Sequence, residues 1–469
     1  MGKGLTRREM LHRVGIGAGA AAVAGTGLSS LGFNIVQAAG KAIPTTPLKF
    51  GHMTFLTGPA SVLGLPSLKG HTMAAEEINA KGGILGKRKI ETIQADEAAG
   101  TDANVKEMRR MKLSDNIDVF TGIISSGNTP ALGPVAEELK LLTLFTDGCT
   151  DFLFDKAVTN PHYIFRMTNI QSADGATAAI GAVKRWKGFK KIAHIHPDYS
   201  YGRNAFEHFN IVMEKLSGGP VEVVSEAWPK LGTTDFAAHI TKTMSAQPDL
   251  LFSSVWGGDY VAMYKQAIGY GMFDKMKLAT TLAFGVAPHA IGKDHPEGAV
   301  AGVHSNYHFT HAPKATAKLN AEFVKRYFAR WNEYPNFQAE GAYVALQMYK
   351  TAVEQASKAQ GGGWPDDEGV IAKLETAKMN GPAGLIYMRK DNHQAYKEAI
   401  TGFSKNSDKY DFPIWESGKI ITIPIKNLTS PPGWPKPGNG HNDSTATYNW
   451  IKTTWTPEWV KANLSKIVA

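Results

Sequence analysis

Cys149 is the single cysteine among the 469 residues. An internal disulfide framework and a cluster built on several thiolates are excluded, so the fold must be held by its core. Clustered charge of one sign is also missing. The formal net charge is +9, but the basic residues are spread along the chain and no basic run carries interleaved aromatics, so nucleic acid is not an expected partner. The most apolar segment, 14–25, is too rich in Gly and Ala for a membrane span. Metal-ligand spacing is absent from the fifteen histidines: His304 and His308 are four apart, but the residues between them read as strand. No metal and no cofactor is expected. Cys149 beside His194 or His196 lacks a third, orienting group, so a nucleophile and base are not expected there either, and no catalysis.

What is present is ordinary for a packed globular protein: 43% hydrophobic and 10% aromatic residues, in a chain long enough for two or three domains. The first residues are the exception. Thr6-Arg7-Arg8-Glu9-Met10-Leu11, the Gly/Ala-rich middle and the small residues Ala38, Ala39 and Gly40 resemble a bacterial twin-arginine export signal, the route for folded cargo. Residues 1–39 are expected to be this signal peptide, handed to the twin-arginine translocase. No cysteine follows the apolar part, so the mature chain is expected to be periplasmic, soluble and not lipid-anchored. The leader carries Lys3, Arg7, Arg8 and Arg13 against Glu9, and its removal leaves about +6.

From Leu48 onward short β-rich runs alternate with helical patterns, which predicts an α/β fold of mostly parallel sheets. The pivotal stretch runs from Asp118 to Leu139. Val119, Phe120, Ile123 and Ile124 suit a central strand, Ser125-Ser126-Gly127 is a turn, and Asn128-Thr129-Pro130 opens a helix. Such a helix start offers N–H groups, hydroxyls and a positive dipole end to a small anion. Residues 140–151 repeat the theme, a strand running into Asp147-Gly148-Cys149-Thr150, so two strand ends face one sheet edge, where ligands of open α/β sheets sit. A second unit of similar size begins near Asn169, with the strand 190–196 and the turn 197–202. Further expectations are a helix over 66–80, a strand over 298–307, a closing strand pair at 383–388 and 399–403, and a tail from about Lys409, without clear periodicity, that wraps a lobe.

Four features then coincide: Leu56-Thr57-Gly58-Pro59, Ile78-Asn79-Ala80-Lys81-Gly82-Gly83-Ile84, Gly122 with Ser125-Ser126 and Thr129, and Asp198 with Tyr201-Gly202. Together they resemble the leucine/isoleucine/valine-binding family of periplasmic receptors that serve ABC transporters. The resemblance covers about 48–405 and implies a type I periplasmic binding fold: two doubly wound, Rossmann-like lobes joined by three crossover strands and closing on one solute. It places lobe 1 at 47–168 and 298–378, lobe 2 at 169–297 and 379–408, and an extension at 409–469.

The same resemblance implies site residues. A carboxylate is clamped at the positions of Ser126, with Gly127 beside it, and Cys149, by a hydroxyl at Thr150, and Tyr201 reaches in from lobe 2. Cys149 stands where a small residue usually offers only backbone. The ammonium half matches poorly: Leu63 stands for a tyrosine, Gln171 for an aspartate, and Leu282 or Ala283 for a glutamate. An ammonium without an acid would be desolvated at a cost of several kcal/mol. Asp147 or Asp259, in expected cleft turns, are the substitutes. The expected solute is therefore a small carboxylate that need not be an α-amino acid, its tail walled by Trp256, Tyr260, Phe284 and Tyr201, and the expected protein partner is a membrane ABC permease. The alternatives are a branched-chain amino acid or an amide or urea as solute, and, in other classes, a sensor subunit or an extracellular enzyme.

Overall fold

The computed structural model describes residues 42–437 and 444–468; the expected leader lies outside them. Among the described residues no helix is long and apolar enough to cross a membrane. Strands β1 (Leu48–Thr54), β2 (Ile90–Asp96), β3 (Val119–Gly122), β4 (Leu142–Phe145) and β5 (Ile164–Arg166) run parallel in the order β2-β1-β3-β4-β5. β3 and β4 are buried at every residue, as mostly apolar strands in a sheet covered on both faces are, while edge strand β2 mixes buried and exposed positions. The chain then builds a second parallel sheet from β6 (Lys191–Ile195), β7 (Glu222–Ala227), β8 (Leu250–Ser253), β9 (Lys277–Thr280) and β10 (Val300–Gly302), in the order β7-β6-β8-β9-β10.

After the long helices Ala317–Trp331 and Phe337–Ala359, β11 (Lys378–Gly381), β12 (Gly384–Arg389) and β13 (Gln394–Tyr396) complete the first sheet. β14 (Ala399–Lys405), β15 (Ile414–Trp415) and β16 (Ile421–Ile423) complete the second, so each sheet has eight strands. The architecture is two doubly wound α/β lobes. The chain passes between the sheets three times, at residues 167–170, 303–316 and 397–398. One residue from each crossing meets the others: the Lys397 amide donates to Asn169 Oδ1 at 2.9 Å, and the Asn169 and Asn306 side-chain amides donate to the Lys397 carbonyl at 3.3 and 3.4 Å. The Lys397 ammonium forms a fully buried ion pair with Glu340, a contact whose loss of one partner costs about 3–5 kcal/mol.

Several boundaries differ from the sequence expectation. β10 remains in the second sheet and β11–β13 belong to the first, so the lobes change hands after 302 and after 396 rather than at 298 and 379. The expected closing pair does not exist: β12 pairs with β11 and β13, whereas β14 pairs across the other sheet with β10. Apolar alternation marks both as strands but carries no information on which sheet takes them. The expected strand at 298–307 stops at Gly302, and His304–Asn306 turns in a short 3-10 helix. The first helix spans Ser61–Ala80 and holds Pro66 inside it, forfeiting only the bond to the carbonyl of exposed Val62. Gly70 lets this helix meet Phe337–Ala359 backbone to backbone, since a Cβ there would stand 2.0 Å from the Ala339 carbonyl oxygen.

The extension after 408 contributes β15, β16 and two helices, Ala446–Thr454 and Pro457–Val468. Ile451, Trp455 and Leu464 are buried in one core with the helices Gln171–Arg185 and Ser200–Ser217 of the second lobe. His208 Nε2 meets the Thr445 hydroxyl at 2.7 Å.

Candidate solute site

The site is built on the ends of β3 and β4. Their register pairs Gly122 with Phe145, so the loops that follow leave the sheet side by side. Gly122 turns at φ +109 with its α-carbon against the Met53 carbonyl, where a Cβ would lie 2.1 Å from that oxygen. Ile123 follows at φ +69, a left-handed conformation that costs a β-branched residue about 1–3 kcal/mol. Its amide donates to the Met53 carbonyl at 2.7 Å, which holds it there. Buried Glu97 then fixes the loop from behind: it accepts from the Ile124 and Ser125 amides and from Asn128 Nδ2, each at 2.8 Å. Burial pushes the Glu97 carboxyl up to about 7 even though those donors, which favour its charged form, pull the other way.

The second loop, 146–151, is tied to the first. The Thr129 hydroxyl, at the start of the helix Thr129–Glu138, donates to the Gly148 carbonyl at 2.8 Å, and the Thr150 amide donates to Ser126 Oγ at 3.2 Å. Ser126 Oγ and Cys149 Sγ are 3.6 Å apart. Buried Arg166 donates from one guanidinium nitrogen to the Gly148 and Thr150 carbonyls, at 2.9 and 2.6 Å. The second lobe closes over both loops: the Ser200 hydroxyl donates to the Ser126 carbonyl at 3.4 Å, and the Thr150 hydroxyl donates to Asn204 Oδ1 at 3.0 Å.

A cavity of about 10 Å³ remains between the lobes. Leu63, Ile124, Ser126, Asp147 and Cys149 line it from the first lobe, and Tyr199, Tyr201, Trp256 and Leu282 from the second. The aromatic walls are fixed by their polar ends: the Tyr201 hydroxyl meets Thr281 Oγ1 at 2.8 Å and Trp256 Nε1 donates to the Tyr199 hydroxyl at 3.1 Å. Burial holds both tyrosine hydroxyls well above their ordinary range, so they serve as neutral donors.

Asp147 does not face the cavity as a bare charge. His304 Nε2 lies 3.0 Å from Asp147 Oδ1, its Nδ1 lies 2.5 Å from Asp174 Oδ2, and Gln338 Nε2 donates to the other Asp147 oxygen. Burial alone would lower the His304 pKa, but Asp174, Cys149 and Asp147 together hold it well above the usual histidine value. Burial pushes the Cys149 thiol up.

Of the expected site residues, Leu63, Ser126, Asp147, Cys149, Tyr201 and Trp256 meet around this one cavity. Gly127 is the exposed tip of the first loop, where an added Cβ would lie 3.7 Å from the Tyr199 ring. Thr150 sits one residue deeper, and Gln171 stands behind Cys149, its Oε1 3.2 Å from Sγ. Three residues fall elsewhere. Asp259 caps a loop instead, accepting from the Gly232 amide at 2.7 Å, and lines a separate outer pocket; its position in the first turn of the helix Gly257–Gly269 turns it away from the β3 and β4 loops. Phe284 stacks on His308 and Trp415 in a different core cluster, because the chain after β9 turns into a short 3-10 helix before it reaches the cleft. Tyr260, expected as a wall, is buried with Tyr264 and Met263 in the second lobe's core. Tyr199, Ile124, Asp174, Gln338 and His304 were not anticipated. Tyr199 has a signal, the alternation Tyr199-Ser200-Tyr201 at a helix start, and Ile124, read as part of the strand, belongs to the first loop; Asp174, His304 and Gln338 come from a helix after the first crossing, from the second crossing and from a distant helix, with no local motif.

A sequence profile described as periplasmic binding protein matches residues 47–402 of this chain. The chain belongs to the periplasmic binding protein family. Among curated relatives, a Leu/Ile/Val-binding protein homolog of Brucella melitensis is 24% identical over 398 residues, covering 82% of this chain and 93% of the relative. The Leu/Ile/Val-binding protein BraC3 of Rhizobium johnstonii is 25% identical over 379 residues, covering 80% and 93%. Two solved structures share the fold. A solute-binding protein of an ABC transporter from Rhodopseudomonas palustris, in complex with 3,4-dihydroxybenzoic acid, superposes with a TM-score of 0.68 at 22% identity, covering 79% of this chain and 97% of that one. A leucine-binding protein from Thermotoga maritima superposes at 0.65 with 23% identity, covering 79% and 98%. In this binding protein the matched region contains both loops of the site and all three crossings, while the helices Ala446–Thr454 and Pro457–Val468 lie beyond it.

Proposed function

We propose that this binding protein is the substrate-binding component of an ABC transporter and takes a small carboxylate-bearing solute into the interlobe cleft. The observation that carries the reading is the junction of the two loops at Ser126 and Thr150, beneath a cavity walled by the other lobe's Tyr199, Tyr201 and Trp256. A carboxylate there meets a serine hydroxyl and loop amides at a helix N-terminus, and charge-assisted bonds of that kind are about twice as strong as neutral ones. An aromatic or aliphatic body then lies against the tyrosines and tryptophan. Asp147 is already engaged by His304 and Gln338, so no free carboxylate awaits an ammonium, and an acid without one is preferred to an α-amino acid. The structural neighbours include binding proteins in complex with 3,4-dihydroxybenzoic acid and 4-hydroxybenzoate as well as a leucine-binding protein.

The cavity of about 10 Å³ admits roughly one water molecule. Entry of a solute therefore needs the lobes to part at the stitched crossings, and solute shifts the population toward a closed form that the permease reads. The protein acts in the periplasm, reached by the twin-arginine route without a lipid anchor, and performs no chemical step. A calorimetric screen of aromatic acids, aliphatic acids and amino acids tests the reading: an aromatic or aliphatic acid binds and is recovered unchanged. Binding of leucine alone would instead assign the amino-acid reading, and chemical conversion of the bound compound would make the protein an enzyme.

A further inference from the structure

We propose that Asp147, Cys149 and His304 form a binding site for one divalent transition-metal ion of the zinc class at the floor of the cleft. All three are buried, and one ligand atom from each lies within 4.8 Å of the others. A tetrahedral ion with bonds of about 2.0–2.3 Å holds its ligand atoms roughly 3.3–3.8 Å apart; His304 Nε2 and Asp147 Oδ1 already lie 3.0 Å apart, and the cluster as a whole, within 4.8 Å, needs a contraction of at most about 1.5 Å. A carboxylate oxygen, a thiol sulfur and an imidazole nitrogen are the donor types that such ions take.

Two further observations point to an ion rather than to a chance meeting. Asp174 lies 2.5 Å from His304 Nδ1 and directs Nε2 at Asp147, which is the carboxylate–histidine–metal arrangement that fixes tautomer and ring orientation. Gln171, fully buried, accepts from the Cys149 thiol at Oε1, 3.2 Å from Sγ, while its Nε2 has no partner among the described residues, so once the thiol proton leaves the amide can turn Nε2 to donate to the thiolate. On binding, the ion replaces the proton between Nε2 and Asp147 and the thiol proton of Cys149, and the Thr168 hydroxyl, now 2.9 Å from Nε2, turns aside. The fourth position faces the small cavity lined by Asp147, Cys149 and Ser126, where a water or an oxygen of the solute completes the set. The twin-arginine leader proposed above agrees with this site, since a chain that folds before export can carry an ion loaded before export.

Cobalt(II) is the probe. The mature chain, stripped with a chelator, is titrated with Co²⁺ and followed by absorption, and native mass spectrometry counts the ions. The expected result is one ion per chain, the visible bands of a tetrahedral site and a thiolate-to-cobalt charge-transfer band. Cys149 is the sole thiol, so that band in the unmodified protein already assigns the ligand. Cys149→Ser is expected to abolish the band, His304→Gln to abolish stoichiometric binding, and Asp174→Asn to keep the band while weakening Co²⁺ affinity by about 10–100-fold. A stripped protein that retains no Co²⁺ or Zn²⁺, or a Cys149→Ser variant with an unchanged spectrum, overturns the site. Solute titrations on the stripped protein separate this from the receptor reading: solute binding without metal retention leaves the receptor standing and the metal site refuted.

Discussion

The Thr150 amide donates to the Ser126 hydroxyl oxygen at 3.2 Å, across 24 residues and two strands. That bond places the end of β3 and the end of β4 on one floor, and the carboxylate proposal rests on it.

Ser126→Ala removes the hydroxyl and leaves the buried Thr150 amide short of its acceptor. Affinity for a carboxylate solute is expected to fall by about 1–3 kcal/mol, with the fold intact. Calorimetry on a well-folded variant is the check, and an unchanged dissociation constant removes Ser126 from the site.

Glu97 supplies a pH dependence with a definite sign. Its pKa rises from 4.5 to about 7 on folding, so the native state binds the extra proton. Its contribution to stability is fully present below about pH 4.5 and is lost as pH rises toward about 7, by up to about 3 kcal/mol. The buried histidines, such as His52 and His194, whose pKa values burial lowers to about 3, act in the opposite sense over about pH 3 to 6.5. Denaturant titrations of wild type and Glu97→Gln at several pH values isolate the Glu97 part: the stability advantage of wild type should shrink between pH 4.5 and 7. A difference that is flat with pH removes Glu97 as the source.

Gly70→Ala should be far more harmful than a surface glycine change. The added methyl meets the Ala339 carbonyl at 2.0 Å and forces two long helices apart, an overpacking expected to cost about 1–3 kcal/mol or more. Gly219→Ala, where a methyl meets nothing within 4 Å, is the control. Equal melting temperatures for the two variants would contradict the crossing described.

Trp455→Ala tests whether the C-terminal extension is part of the second lobe. Trp455 is 1% exposed and packs with Trp450 and Trp459. A loss of about 3–5 kcal/mol is expected in denaturant unfolding. A loss below about 0.5 kcal/mol would mean that the extension does not share the lobe's core.

The alternation of strands and helices was legible because parallel strands covered on both faces are mostly apolar, as 119–124 and 141–145 are apart from Thr121, Gly122 and Thr143. Sheet membership was not. β10 and β12 were read as strands, β11 and β13 were not, and only their partners decide which lobe they join. That the loops after β3 and β4 leave one sheet edge together was legible, since two apolar runs each end in glycine, serine or threonine; that they hold an anion remains the proposal. His304 and Asp174 were not, because their contact joins residues 130 apart through two crossing segments. Asp259 and Phe284 misled for the opposite reason: each sits just after a strand of the second sheet, yet helix start and 3-10 turn point them elsewhere.

The most direct test of the central claim compares a carboxylate with its neutral isostere. Titration calorimetry of the mature chain with the best-binding acid of the screen, and with the corresponding primary amide, isolates the negative head group. The account predicts saturable 1:1 binding of the acid and at least about tenfold weaker binding of the amide, the equivalent of about 1.4 kcal/mol. Equal affinity for the two, or no binding of any carboxylate, would contradict it.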